Sequence, residues 1–320
     1  MEFFLENFPQ EIFLIEFPFW KKEETLTDRM IRGVAKTGRF RIRAADTRLM
    51  AEEARKIHGA SPTAAAAMGR LLTMASFLSL DLMFPGDSIT LLIKGGGPGG
   101  RLLAVTDEPY SARISCQNPQ ADLPDRSPGH LDVGGFVGRQ GTLTLIRKSD
   151  YSKEPFAGTT RLVSGEIAED FSAYFLQSEQ VPSVVSLGVL LGPSGKVEVS
   201  GGLLVQALPG ASEEDLRQLE EDAQGLRPMT AYLQKGLSLE AILQRAFPSL
   251  PFNFLEEGEP VYHCPCSKDR MLRALRALPL EDRRALAQED QGAEVVCEFC
   301  RKKYWIQGED FYDPQKNGDF

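Results

Sequence analysis

Apolar positions between Leu26 and Leu208 recur on two periods. "RFRIRAADT" (39–47) changes side at every residue, the period of a strand. "SITLLIKG", "GRLLAVTDE", "SARISCQ" and "GTLTLIRK" read as further strands separated by Gly and Pro turns. "TRLMAEEARKIHG" predicts a helix closed by Gly59. "SPTAAAAMGRLLTMASFLSLDLM" predicts a second, strongly apolar one that starts at Ser61 with Pro62 in its first turn. "SGEIAEDFSAYFLQSEQ" reads as a helix capped by Ser164 with acids in its first turn. "SVVSLGVLLGPSGKVEVSGGLLVQAL" reads as two strands around a Gly-Pro-Ser-Gly turn. Strands and helices without a βαβ rhythm predict an α+β fold, with a mixed α/β N-terminal domain around a central sheet over residues 26–208.

The pattern changes at "LPGASEEDLRQLEEDAQGLRP". Ser212 and Asp215 form a start like a capping box. Leu216, Leu219, Ala223 and Leu226 then make one narrow apolar stripe on an otherwise charged helix. "SLEAILQRAF" is another helix after Gly236. The stripe is too short for three heptads, so it predicts a helix resting on its own core rather than a coiled coil. Residues 209–254 are therefore expected to be a helical linker, and residues 255–320 a small C-terminal domain with an acidic tail.

Composition narrows the class. The chain has 320 residues and a net charge of −9, an acidic balance that works against general nucleic-acid or anionic-membrane binding. No apolar run is long enough to span a membrane. Residues 1–25 are aromatic and apolar, but Glu2, Glu6, Glu11 and Glu16 interrupt them and the positive charges Lys21 and Lys22 come last. That order does not suit a signal peptide, so the segment is read as a non-targeting extension and the protein as cytoplasmic. Structural disulfides are rare there, and paired cysteines point to metal or redox chemistry.

Four of the five cysteines fall in two tight pairs, Cys264-x-Cys266 and Cys297-x-x-Cys300. Four thiolates suit tetrahedral Zn²⁺. "EVVCEFCRKKYWI" fits a knuckle between two strands, and "SKDRMLRALRALPLEDRRALAQ" between the pairs reads as two helices, the first capped by Ser267. His263 is adjacent, but the tetrathiolate is complete without it. Cys116 reads as a small buried hydrophobe in a strand. "GGGPGG" (95–100) formally contains G-x-G-x-x-G, yet a strand follows it where a dinucleotide site needs a helix, so it predicts a glycine-rich hairpin. Glu166, Glu169 and Asp170 read as a solvated first helical turn. No nucleophile motif surrounds His58 or His130, and no catalytic residue is assigned.

These cysteines, with "PTAAAAMGRLLT", "IKGGGPGG", "LVSGEIAEDFSAYFLQSEQVPSVVSLGVLL" and "GGLLVQALPGA", resemble the heat shock protein 33 family of redox-regulated holdase chaperones, over roughly residues 26 to 306. The resemblance implies a reduced, zinc-bound, inactive monomer and no enzymatic turnover. Oxidation would pair Cys264 with Cys266 and Cys297 with Cys300. Zinc would be released, the C-terminal domain and linker would unfold, and apolar surface would bind unfolding client proteins. The oxidised form would be a homodimer. Reduction would pass clients to ATP-dependent refolding chaperones.

Elementary energetics support such a switch. Structural zinc contributes on the order of 10–16 kcal/mol in small zinc-finger peptides, whereas a disulfide closing a three- or four-residue loop contributes roughly 1.5–2 kcal/mol. Nine basic side chains near the pairs (Lys268, Arg270, Arg273, Arg276, Arg283, Arg284, Arg301, Lys302 and Lys303) are candidates to offset the thiolate charge. Two other classes compete. A zinc-ribbon nucleic-acid-binding protein suits the local basic cluster but not the acidic total. A thiol oxidoreductase would want its Cys-x-x-Cys at a helix start in a thioredoxin-like context, which is missing.

Overall fold

The computed structural model describes residues 27–152, 154–289 and 291–312. The extension at residues 1–25 and the end of the acidic tail lie outside the described residues. The α+β expectation holds, but two large sheets stand where one central sheet was expected. The first has the order β10-β1-β2-β9-β8, all antiparallel: β1 (Arg29–Ala35), β2 (Phe40–Asp46), β8 (Ser183–Leu191), β9 (Val197–Ala207) and β10 (Phe252–Gly258). The second has the order β11-β5-β4-β3-β6-β7: β3 (Ser88–Lys94), β4 (Arg101–Thr106), β5 (Ser111–Cys116), β6 (Thr142–Lys148), β7 (Phe156–Arg161) and β11 (Val261–Tyr262).

The reason for two sheets is helix α2 (Pro62–Ser79). It is apolar around its whole circumference, so no single sheet can cover it. Strands of both sheets pack against it, β8 and β9 on one side and β3, β4 and β5 on the other, with α1 (Arg48–His58) alongside. Its start is as expected: Ser61 accepts a hydrogen bond from the Ala64 N–H, and Pro62 takes the first turn. Its buried hydroxyls bond back into the helix, Thr73 to the Gly69 carbonyl at 2.9 Å and Ser76 to that of Leu72 at 3.0 Å, which removes their desolvation cost. Gly69 is the point of closest approach, where a Cβ would lie 2.8 Å from a Val189 methyl.

Helix α4 (Ala168–Ser178) corrects two expectations. Ser164 does not cap it, and its acids are not all solvated. Asp170 is fully buried and accepts four backbone N–H bonds, from Val163 (2.7 Å), Ser164 (3.1 Å), Gly165 (3.3 Å) and Ile167 (2.9 Å). Glu166 instead pairs with Arg70 of α2 at 2.6 Å. The glycine-rich 95–100 segment is a hairpin turn, as expected. It lies backbone to backbone on α3 (Val133–Val137), with the Gly97 N–H on the Val137 carbonyl at 3.0 Å, and a Cβ on Gly95 would sit 2.2 Å from that same oxygen.

The outer face of the first sheet carries Ile31, Phe40, Ile42, Leu203 and Val205. Helices α5 (Glu213–Gln224), α6 (Met229–Leu233) and α7 (Leu239–Ala246) cover it. The capping box at Ser212 and Asp215 is formed. Of the expected stripe, Leu219 is buried and Leu216 and Leu226 are partly so; Met229, Tyr232, Ile242, Leu243 and Phe247 supply more of the cover. Strand β10 then carries the chain across the expected boundary at 254/255 and pairs with β1.

Two outcomes follow. Asp170→Ala strips the acceptor from four N–H groups and is expected to lower unfolding free energy by about 2–4 kcal/mol in denaturant titrations. A chain ending near Leu208 keeps the core around α2 but bares the outer face of the first sheet. It should unfold cooperatively at lower denaturant than the full chain and self-associate in sedimentation; a molten fragment would show that residues 209–258 are needed for folding.

Candidate metal centre

Two arms bring the four sulfurs together. The first leaves β11, which lies parallel to β5 through bonds from the Val261 N–H to the Tyr110 carbonyl (2.9 Å) and the His263 N–H to the Ala112 carbonyl (3.1 Å). Cys264 and Cys266 follow at once. Ser267 then caps α8 (Lys268–Arg276) by accepting from the Arg270 N–H, as expected. The second arm is the hairpin of β12 (Gly292–Val296) and β13 (Lys303–Gln307), with Cys297 and Cys300 in its knuckle. The turn is closed by Cys297 N–H to the Lys302 carbonyl and Arg301 N–H to the Cys297 carbonyl, both 2.9 Å, with Arg301 in the left-handed region at φ 60°. Helices α9 (Leu280–Glu289) and α10 (Gly308–Phe311) pack beside the hairpin.

All four sulfurs lie within 4.8 Å of one another, and none is in a disulfide. Cys264 Sγ is 3.6 Å from Cys297 Sγ, and Cys266 Sγ is 3.3 Å from Cys300 Sγ. Four thiolates about 2.3 Å from a central ion would be spaced by about 3.8 Å, so the cluster has the size of a tetrahedral metal site. Burial pushes the Cys264 and Cys300 thiols up. Burial acts the same way on Cys266, but hydrogen bonds from the Tyr304 hydroxyl and the neighbouring thiols outweigh it and bring that thiol down to about 7. The Tyr304 oxygen is 3.1 Å from Cys266 Sγ and 3.0 Å from the Cys266 carbonyl oxygen, so its single proton is shared between the two acceptors.

The remaining sequence candidates fall elsewhere. Cys116 is buried in β5, where burial pushes its thiol up to about 11, and it does not belong to the cluster. His263 offers no ligand to the group of four. Several of the nine basic side chains are committed away from the sulfurs: Lys303 to Glu294 at 3.0 Å, Arg276 to the Asp310 carbonyl at 2.7 Å, and Arg283 to the Phe311 carbonyl at 3.3 Å. Arg270 does face the site. With Arg113, Met271, Val296 and Phe299 it lines a cavity of about 350 Å³ beside Cys264, Cys266 and Cys297. Sequence reasoning missed Arg113, Tyr262, Tyr304, Glu298 and Phe299. The one local signal was the aromatic residues flanking both pairs, in "VYHC" and "RKKYW".

Comparison with known proteins gives one consistent result. The family model "Hsp33 protein" matches residues 28–307. The 33 kDa chaperonin of Thermoanaerobacter sp. (strain X514) is 39% identical over 282 residues, 88% of this chain and 96% of that protein. That of Clostridioides difficile (strain 630) is 40% identical over 288 residues, 90% and 98% of the two chains. The crystal structure of the 33 kDa chaperonin of Thermotoga maritima superposes with a TM-score of 0.81 at 30% identity, covering 89% of this chain and 97% of that one.

The convergence of sulfurs predicts one metal ion per chain in the reduced protein. Replacing any one of Cys264, Cys266, Cys297 or Cys300 by Ser should lower the metal content measured by elemental analysis, and Cys116→Ser should not. Unchanged stoichiometry in all four cluster variants would rule the sulfurs out as ligands.

Proposed function

The chain belongs to the Hsp33 family, and on that premise we propose that it is a redox-regulated holdase, inactive while its four clustered thiols are reduced and hold zinc, and opened by their oxidation. That it is a chaperone of the Hsp33 type follows from the family. Its clients are unfolding polypeptides, its oxidised form is a homodimer, and on re-reduction it hands clients to ATP-dependent refolding chaperones in the cytoplasm. No helix among the described residues is long and apolar enough to cross a membrane.

The observation that carries this reading is the convergence of four sulfurs from two arms in a region with little core of its own. Among the described residues, its cluster of buried apolar side chains has five members: Leu275, Ala293, Ile306, Phe311 and Tyr312. A unit that small ordinarily needs a cross-link or a metal to fold. Zinc, when bound, holds the sulfurs as thiolates and stabilises such a unit by on the order of 10–16 kcal/mol. The chain's own residues do the rest. Cys264 and Cys266 tether the arm that continues β11, and Cys297 and Cys300 tether the hairpin.

Oxidation within each pair would take two electrons from two thiolates, and a peroxide that accepts them together with two protons from solvent leaves as two waters, the lost thiolate charge being balanced by release of the ion. The resulting Cys264–Cys266 and Cys297–Cys300 bonds close only short loops, worth roughly 1.5–2 kcal/mol each, and no metal or covalent link then joins the arms, only hydrogen bonds such as Tyr262 to the Phe299 carbonyl. Sulfur contacts of 3.6 and 3.3 Å run across the arms, Cys264 to Cys297 and Cys266 to Cys300. A bond there would staple the region shut, so the in-pair assignment is what makes oxidation an opening step. With the C-terminal region released, β10 and helices α5–α7 lose their downstream anchor. The face of Ile31, Phe40, Ile42, Leu203 and Val205 that they cover becomes the client surface.

Hydrogen exchange read by mass spectrometry checks the sequence of events. After peroxide and mild heat, protection should fall in 212–247 and 261–306 while β3 stays protected. Peptide mapping should find the two in-pair disulfides, and aggregation of an unfolding test protein should be suppressed only in this state. Oxidised protein that holds clients with its C-terminal protection intact would sink the mechanism.

A further inference from the structure

The hairpin that carries Cys297 and Cys300 faces the N-terminal part of the chain with its knuckle. Among the described residues, every hydrogen bond, ion pair and ring contact between residues 292–307 and the chain before residue 250 passes through Glu298 or Phe299, the two residues enclosed by the Cys-x-x-Cys pair. Glu298 accepts from Arg101 of β4 at 2.6 Å and from the Ser115 hydroxyl of β5 at 3.2 Å. The Phe299 ring lies under the Arg113 guanidinium, 5.3 Å from its centroid. Arg113 is 3% exposed and is held in place by both oxygens of Asp107, at 2.8 and 2.7 Å. The Phe299 carbonyl accepts from the Tyr262 hydroxyl at 2.6 Å, and that same hydroxyl is 3.1 Å from the Ile114 carbonyl of β5.

From this we infer that Glu298 and Phe299 are a latch. The knuckle that aims two sulfurs at the metal centre also presents an acid and a ring to Arg101 and Arg113, so the state of the thiols decides whether the C-terminal region stays docked on β4 and β5. The inference deepens the proposed redox switch and rests on it for its biological meaning.

The latch is weak by construction. The Arg101–Glu298 pair is 39% and 45% exposed, and pairs that exposed contribute little individually and are screened by salt. The ring under Arg113 adds a contact of the cation–π kind. Neither can hold the region without a correctly shaped knuckle. That shape needs Cys297 N–H on the Lys302 carbonyl and the left-handed Arg301, both of which belong to the folded turn around the sulfurs. Arg101, Arg113, Glu298 and Phe299 are thus positioning residues: they touch no sulfur ligand of the centre through a described hydrogen bond and act on how far the C-terminal region can lift while the centre is intact.

The test uses the reduced, zinc-loaded full chain, with no client present. Amide exchange at Val261 and His263, whose N–H groups bond to β5, reports docking directly. Arg101→Glu and Glu298→Arg should each speed that exchange roughly two- to fivefold while leaving the zinc content unchanged, and the double exchange of charges should restore the parent rate. Glu298→Gln, which keeps the side-chain shape, should show the same sign and guards against a failure of Glu298→Arg to fold. Raising salt to about 1 M should speed exchange in the parent and leave Glu298→Gln unaffected. Exchange equal to the parent in the single variants, or loss of zinc from them, would overturn the latch. An oxidised parent that fails to hold an unfolding test protein would sink the proposed function and leave the latch standing, so the two failures are distinct.

Discussion

Residues 261–312 bury few apolar side chains, and that shortage governs the molecule. Two short arms, a strand of two residues and a hairpin, cannot hold one another by packing alone, and the four sulfurs at their crossing are the strongest interaction available to them. Tyr304 on Cys266, the Ser267 cap and the Glu294–Lys303 pair are arranged around that crossing and refine it. None reaches the magnitude of a metal–thiolate centre. With the proposed zinc bound, stability here would rest on the state of four sulfurs rather than on a volume of core.

The N-terminal part is built on the opposite principle. Helix α2 is enclosed by two sheets and makes its polar contacts inward, Thr73 to Thr47 at 2.7 Å and Arg70 to Glu166 at 2.6 Å. Of the cysteine region, Tyr262 at the β11 edge packs against this core. The first sheet serves both halves. Its inner face belongs to the α2 core, and its outer face is closed by helices that arrive from the linker. One sheet thus takes part in two cores, separated by a single layer of backbone.

Much of this was legible in the sequence, for identifiable reasons. The period-two runs gave β2 to β6, β8 and β9, and the caps at Ser61, Ser212 and Ser267 formed where a hydroxyl preceded a helical pattern. The cysteine spacing pointed to the cluster because ligand geometry is local within each pair. What escaped was decided by contacts distant in sequence. Strand β10 has no alternation because one of its faces meets little, and its identity comes from pairing with β1 more than 200 residues away. Asp170 looked like an ordinary first-turn acid, and only the tertiary path of 163–167 makes it a buried acceptor of four N–H groups. Glu298 and Phe299 were invisible as contact residues for the same reason: their partners, Arg101 and Arg113, lie nearly 200 positions upstream.

The parallel pairing of β11 with β5 has a further consequence. All six residues of β5 are buried, and β11 occupies its outer flank for only two residues. Were the C-terminal region to lift away as proposed, the carbonyls of Tyr110 and Ala112 would lose their N–H partners, and the second sheet would acquire an open edge. A bare edge of this kind accepts any extended polypeptide through main-chain hydrogen bonds, whatever its side chains. The proposed opening would therefore present two chemistries at once: an apolar face that discriminates by hydrophobicity and a strand edge that does not discriminate by sequence.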